Sequence, residues 1–103
     1  MLGFSLNRVE GESMAPLIPH GSYMLFHPFF RKQKLALGTL VKVNHPKYGT
    51  IIKSISYIDS NGLYWLAGAN EQSVSTLEMG PIKPQMIIGK ACFLAKPALQ
   101  HTT

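Results

Sequence analysis

Hydrophobic and polar residues alternate along several short segments of the chain, and this period of two is typical of half-buried β-strands. The predicted strands are residues 6–9, 23–26, 39–44, 50–58, 63–67 and 86–95. Residues 45–49 form a predicted hairpin loop, and Asn61-Gly62 favours a tight turn because this pair tolerates positive φ. The pattern therefore predicts an all-β, mainly antiparallel fold of short strands and hairpins, with at most a short helical turn over residues 14–18.

One predicted strand carries a lysine among apolar residues. Between residues 50 and 58 successive side chains point to opposite faces, so Ile51, Lys53 and Ile55 share one face. Burying a lysine without a compensating charge is costly, and burial favours loss of its proton. The same pattern also fits a lysine at a sheet edge, or one whose stem lies on the apolar surface while its amine reaches water. A second motif, near the start of the chain, favours the buried lysine.

This second motif is a glycine turn that carries a serine. Gly11-Glu12-Ser13-Met14 is followed by Ala15-Pro16, and Pro19-His20-Gly21 comes soon after. Serine is a weak nucleophile until a base takes its proton, and lysine can be that base only when its pKa is lowered, as burial does. Ser13 and Lys53 together are therefore the minimum equipment of a hydrolase that uses a Ser/Lys dyad.

These motifs resemble those of the signal peptidase and SOS-repressor peptidase superfamily, whose members are Ser/Lys peptidases with a mostly β catalytic domain. The matching segments, in the family's order, are residues 9–16, 19–26, 38–43, 51–55, 68–73 and 80–82. The resemblance spans nearly the whole chain, and its last two segments match more loosely than the others. It implies that Ser13 is the nucleophile and Lys53 the base of a serine peptidase.

The resemblance also implies supporting roles for residues around the dyad. Gly11 and Met14 belong to the turn that carries the serine. Ser73 hydrogen-bonds the Lys53 amine and orients it. Some signal peptidases have a serine hydroxyl at the position of Gly11, so in this chain the backbone N–H of Ser13 is left as the main donor to the oxyanion. No metal or cofactor is expected.

The chain departs from the family pattern around Ser73. Ala69 stands where the pattern has aspartate, and Ser75-Thr76-Leu77 stands where it has Asp-Ser-Arg. The ion pair that braces this loop in signal peptidases is therefore missing, and we expect the loop to be held in another way. The change leaves open two non-enzymatic alternatives: a catalytically degenerate domain that binds peptides or dimerises, and the C-terminal half of a truncated regulator.

The favoured partner is a protein or peptide substrate in an extended conformation. We expect it to pair with the exposed strand edge near Leu6, Arg8 and Glu10 by β-strand addition. Few residues precede Ser13, too few for the DNA-binding domain and cleavage segment of a self-cleaving repressor. The chain resembles instead the small maturation proteases that trim the N-terminus of one partner, such as those for nickel-type superoxide dismutase. The predicted function is a serine endopeptidase that removes a short leader.

Length and composition fit a single domain. The chain has 103 residues, of which 46% are hydrophobic and 15% charged, which suits one core over residues 1–96 and a frayed tail over residues 97–103. Cys92 is the single cysteine, which excludes an internal disulfide, and we expect its thiol to be buried. The four histidines lack the spacing of metal ligands, so no metal site is predicted.

The net charge of +5 raises the question of a nucleic-acid or membrane partner. Arg31-Lys32-Gln33-Lys34 is the one basic cluster, and no DNA-binding motif accompanies it, so no nucleic-acid partner is predicted. The preceding aromatic residues 26–30 fit either a membrane or partner surface or a cap on the core, and the core is favoured. Residues 1–10 lack the features of a signal peptide. We therefore expect a cytoplasmic protein without a membrane-spanning segment, and peripheral membrane association stays open.

A Ser-His-Asp triad is an alternative to the lysine. His45 and Asp59 could complete it around Ser13, because triad members need not be close in sequence. His45 precedes Pro46 in a predicted loop tip, where we expect the imidazole to be exposed to solvent. Lys53 is therefore favoured as the base.

Overall fold

The computed structural model describes residues 3–11, 14–30, 35–69 and 74–96. Its strands are β1 (Ser5–Arg8), β2 (Tyr23–His27), β3 (Leu40–His45), β4 (Gly49–Ile58), β5 (Tyr64–Ala67) and β6 (Ile87–Ala95). They form one antiparallel sheet in the order β1-β2-β6-β3-β4-β5. The prediction of an all-β fold is confirmed, and each strand begins and ends within one residue of its predicted bounds.

Helical structure in the described residues is limited to single turns. Residues 14–18 form the predicted turn, in which the Ile18 N–H donates to the Met14 carbonyl at 2.7 Å. A short helix α1 (Thr76–Met79) and a 3₁₀ turn (Pro84–Met86) follow β5, and neither was predicted. The signal for α1 is present in the sequence, because Ser75 followed three residues later by Glu78 is the signature of a helix N-terminus.

Two hydrophobic clusters lie on opposite faces of the sheet, as the alternation of strand side chains requires. The first cluster includes Val41, Val43 and Ile55, each at most 1% exposed, and Met79 of α1 packs into it. The members of the second cluster are Val9, Met14, Ile18, Met24 and Phe26, with Leu40 and Ile52 packed against them. Neighbouring residues of one strand, such as 40 and 41, therefore contribute to different cores.

The sheet curls around the second cluster. Val9, just after β1, shares this cluster with Leu40 of β3 and Ile52 of β4, although β2 and β6 separate β1 from β3 in the sheet. Gly89 of β6 allows close packing inside the curl, because a Cβ at this position would lie 2.9 Å from the Cβ of Phe26. The curl brings the outer edge of β1 toward β4, and a cleft lies between them.

Cys92 is exposed, so the prediction of a buried thiol is wrong. Leu25 of β2 pairs with Phe93 and the next residue, Phe26, pairs with Ala91, which leaves Cys92 as the extra residue of a bulge in β6. The prediction rested on the apolar character of residues 86–94, which does not record where the strand forms a bulge. The Cys92 thiol donates a hydrogen bond to the Leu25 carbonyl, with Sγ and the oxygen 3.4 Å apart.

The aromatic segment of residues 26–30 is divided between core and surface. Phe26 is buried in the second cluster, Phe30 packs against the first, and Phe29 is 69% exposed. The prediction that this segment caps the core therefore holds for two of its three phenylalanines. The basic cluster and the predicted frayed tail lie outside the described residues. No helix within the described ranges is long and apolar enough to cross a membrane.

Candidate active site

Lys53 is a buried lysine on a strand. It lies on β4 opposite Val41 of β3, and only 5% of its surface is exposed. The ion pairs between described side chains do not include it. Burial therefore lowers the pKa of Lys53, because the charged form loses hydration. The interpretation of this residue as a solvated lysine is wrong, and the buried interpretation is confirmed.

A cleft of about 420 Å³ opens beside Lys53. Its walls are formed by residues 7–10, Met14, Tyr48, residues 50–53, Val74 and Met79. Three segments that are far apart in the sequence therefore meet here: the end of β1 with the turn that follows it, the first half of β4, and the segment that enters α1.

The residues that directly follow the two predicted serines in the sequence both line the cleft. Met14, which directly follows Ser13, is 2% exposed and lines the cleft. Val74, which directly follows Ser73, lines it as well. Ser13 and Ser73 themselves lie outside the described residues, so the contacts of their hydroxyls stay predictions. Within the described residues, the structure brings Lys53 into one cleft with Met14 and Val74.

A histidine outside the predicted site holds the turn before Ser13. The Gly11 N–H donates to the Nδ1 atom of His20 at 2.9 Å, and the Gly21 N–H donates to the Val9 carbonyl at 2.8 Å. Gly11 has φ of +85°, a conformation that favours glycine. The sequence contains His20 in a Pro-His-Gly turn, but only the fold shows that its ring reaches Gly11.

The outer edge of β1 is free for pairing. The Val9 N–H donates to the Ser22 carbonyl at 2.7 Å, so the backbone of Val9 points toward the β2 side. Backbone N–H and C=O groups alternate in direction along a strand, so those of Leu6, Arg8 and Glu10 point to the opposite edge. Among the described strands this edge has no neighbour in the sheet, and residues 7–10 line the cleft.

The first half of β4 has a second free edge. The Ile55 N–H donates to the Thr39 carbonyl at 3.0 Å, which places the backbone of Ile55 on the β3 side. By the same alternation, the backbone groups of Thr50 and Ile52 point away from β3. Within the described part of the chain, β5 pairs with β4 only from Ser54 onward, so this edge is unpaired where it lines the cleft.

The segment that departs from the resembled pattern is anchored by a helix cap. The Glu78 N–H donates to the Ser75 hydroxyl oxygen at 3.1 Å, which caps α1. Met79 of this helix is 9% exposed, packs into the first cluster and lines the cleft. Ala69 and Leu77 are exposed. In this chain a cap and a buried methionine therefore hold the segment.

His45 and Asp59 each hold a turn and do not form a triad. His45 is only 9% exposed, so the prediction that it is exposed is wrong: its Nδ1 accepts the Lys47 N–H at 3.0 Å, and its ring packs 4.9 Å from the Tyr48 ring. Asp59 accepts a hydrogen bond from the Trp65 indole at 3.0 Å, which is the main cause that lowers the pKa of Asp59. Neither residue lines the cleft.

Comparison with known proteins agrees with this geometry. A family model described as Peptidase S24-like matches residues 4–92. The match begins before β1 and ends within β6, so it includes every segment of the cleft wall. No curated protein matches the chain. Because the family match covers most of the sequence, the chain belongs to the Peptidase S24-like family.

Proposed function

We propose that this chain is a serine endopeptidase with Ser13 as nucleophile and Lys53 as general base. The observation that carries the proposal is the burial of Lys53 beside a cleft that Met14 also lines. Met14 is covalently bonded to Ser13, so the lysine and the serine turn contribute to one site. Membership in the Peptidase S24-like family supports the same chemistry.

The proposed reaction has two steps. Neutral Lys53 takes the proton of the Ser13 hydroxyl as Oγ attacks the peptide carbonyl, and the backbone N–H of Ser13 donates to the oxyanion. The charged lysine then gives this proton to the leaving amine, which completes acylation. A water molecule, deprotonated by the same amine, then attacks the acyl carbon. The ester bond to Ser13 Oγ breaks, the lysine returns the proton to Oγ, and the peptide leaves with a new C-terminal carboxylate.

Burial of Lys53 prepares the amine for this role. A general base must be unprotonated at the working pH, and a lysine in water is almost fully protonated there. The apolar site lowers the pKa of Lys53 and so raises the neutral fraction. In the proposal Ser73 accepts or donates a hydrogen bond at this amine and orients it, while Gly11 and Met14 hold the serine turn.

The two free strand edges define the substrate. An extended peptide that enters the cleft meets the outward backbone groups of Leu6, Arg8 and Glu10 on one wall and those of Thr50 and Ile52 on the other. Pairing with backbone groups recognises an extended conformation with little dependence on sequence. A flexible leader fits this requirement, because it has no structure to lose. We therefore propose that the enzyme trims a short leader from a partner protein.

A small fluorophosphonate, which phosphonylates activated serines with loss of fluoride, tests the dyad. We expect the wild-type protein to be labelled at Ser13 and the Ser13→Ala variant to remain unlabelled. Lys53→Met should lower the labelling rate by roughly 10²- to 10⁴-fold, the usual contribution of a general base. Ser60→Ala, in an exposed turn, is the matched serine control and should label like wild type. Intact-protein mass spectrometry measures the adduct.

Two results would contradict the proposal. Labelling that persists in Ser13→Ala would move the nucleophile elsewhere. A wild-type protein that is folded, as shown by a cooperative urea transition, but is not labelled would favour the degenerate peptide-binding or dimerisation module that the changes at Ala69 and Leu77 leave open.

A further inference from the structure

A second lysine bridges strands that are not neighbours in the sheet. Lys42 of β3 donates from Nζ to Asn7 Oδ1 at 2.8 Å and to Ser5 Oγ at 3.1 Å, both on β1. β2 and β6 lie between β1 and β3 in the sheet order. The lysine therefore spans the inside of the curl, on the face of the second cluster.

Lys42 places a charged amine in a partly buried site where its hydrogen-bond acceptors are uncharged. Lys42 is partly buried, its amine lies 5.8 Å from the centre of the buried Phe26 ring, and both acceptors are uncharged. The described ion pairs involve Glu10 and do not include Lys42. An apolar side chain would fill the same space without the cost of desolvating a charge. Unlike an apolar side chain, the amine donates hydrogen bonds to two side chains of β1.

The strand that Lys42 contacts, β1, is a short strand at the edge of the sheet. β1 has four residues and, among the described strands, pairs only with β2, so one edge of this short strand has no described partner. Short edge strands with few partners open locally at low cost. Asn7, which accepts the shorter of the two hydrogen bonds, also lines the cleft.

We propose that Lys42 is a positioning residue that fixes β1 as the pairing edge for the substrate. The inference rests on the proposed function. Lys42 acts through Ser5 and Asn7 and lies on the opposite face of the sheet from Lys53, so it takes no part in proton transfer. Its loss should weaken the capture of extended peptides and leave the reactivity of the serine unchanged.

Two substrates of different size separate these effects. Fluorescein-labelled casein, an unfolded protein, must pair with β1, whereas a small fluorophosphonate needs only the dyad. We expect Lys42→Met to lower kcat/KM for casein by roughly tenfold or more, mainly through a higher KM, because misplaced binding groups are costly. Its fluorophosphonate labelling rate should stay within about twofold of wild type, a change too small to reflect a lost acid–base group.

Three further variants control the experiment. Lys42→Arg retains donors and a positive charge and should restore most of the casein cleavage. Ser5→Ala removes one acceptor and should give an intermediate loss, and it keeps the test available should Lys42→Met fail to fold. Lys83→Met removes an exposed lysine elsewhere and should behave like wild type. Equal losses of casein cleavage and labelling in Lys42→Met, or no loss of either, would overturn the proposal.

Amide hydrogen exchange distinguishes this proposal from the proposed function. A wild-type protein that neither labels nor cleaves casein would contradict the peptidase, yet the bridge would still be measurable. In Lys42→Met the amides of Ser5, Asn7 and Val9, which face β2, should exchange faster than in wild type, while those of β3 and β4 stay unchanged. Unchanged exchange in β1 would show that Lys42 does not fix this strand.

Discussion

At the scale of single residues, the buried amine of Lys53 is an electrostatic conflict within the described structure. The strand places the side chain opposite Val41 and on the same face as Ile55, so hydration is lost and the pKa falls. Burial makes the amine a better general base at neutral pH, and the same burial lowers the stability of the folded protein. Stability and activity should therefore respond to this residue in opposite directions.

The Lys53→Met variant tests this opposition. The folded pKa lies below the unfolded value, so between the two values the unfolded chain holds the extra proton and stability rises with pH. Below both values the full cost is present. At pH 7 Lys53→Met should be inactive yet more stable, by about 1.4 kcal/mol for each tenfold difference in proton affinity between the folded and unfolded lysine. Urea melts at pH 7 measure the free energy of unfolding.

The Lys83→Met variant shows whether the gain in stability of Lys53→Met results from the burial of that lysine. Lys83 is exposed, so its replacement should leave the free energy of unfolding within about 0.5 kcal/mol of wild type. The difference between Lys53→Met and wild type should also shrink as the pH approaches the unfolded value. Equal or lower stability of Lys53→Met at pH 7 would mean that the lysine is solvated or well paired.

At the scale of elements, β6 shows how packing uses a glycine that strand propensity disfavours. β6 lies between β2 and β3, and Gly89 is buried within it. Glycine weakens a strand unless a close approach requires it. Here the backbone passes Phe26 so closely that a Cβ would lie 2.9 Å from the Cβ of that residue. The contact is with the Cβ atom of Phe26, which a rotamer change of the side chain does not move.

We therefore expect Gly89→Ala to be destabilising. Overpacking of this kind costs about 1–3 kcal/mol, whereas alanine in place of glycine at an open site would stabilise the chain by restricting its unfolded state. The matched control is Ser56→Ala, at an exposed position of β4, which should change the free energy of unfolding by less than about 0.5 kcal/mol. Urea melts measure both variants, and a Gly89→Ala protein as stable as wild type would show that the strands can separate freely.

At the scale of the whole molecule, the curl turns two separate strand edges into the walls of one cleft. Residues 7–10 and residues 50–53 line it together, although β1 and β4 are not paired. A bound extended peptide that pairs with both walls would act as a further strand between them. Binding should then be visible as simultaneous protection of both edges.

Hydrogen exchange on the Ser13→Ala variant with unlabelled casein tests this arrangement without turnover. The outward amides of Arg8 and Glu10 should slow together with those of Thr50 and Ile52. Amides of β5, at the far edge of the sheet, should not change and serve as the internal control. Protection of β1 alone would restrict substrate pairing to one wall, and protection of neither edge would contradict strand addition.

The sequence alone determined the strands, the turns between them and the apolar face on which Lys53 lies. These features follow from local rules, because alternation of side chains and the backbone preferences of glycine, proline and asparagine act over a few residues. Tertiary structure decided the rest: the curl that brings Met14 and Lys53 to one cleft, the bulge that exposes Cys92, the burial of His45 and the bridge from Lys42 to β1. Each of these depends on strand register and on contacts between residues distant in the chain, which no local pattern records.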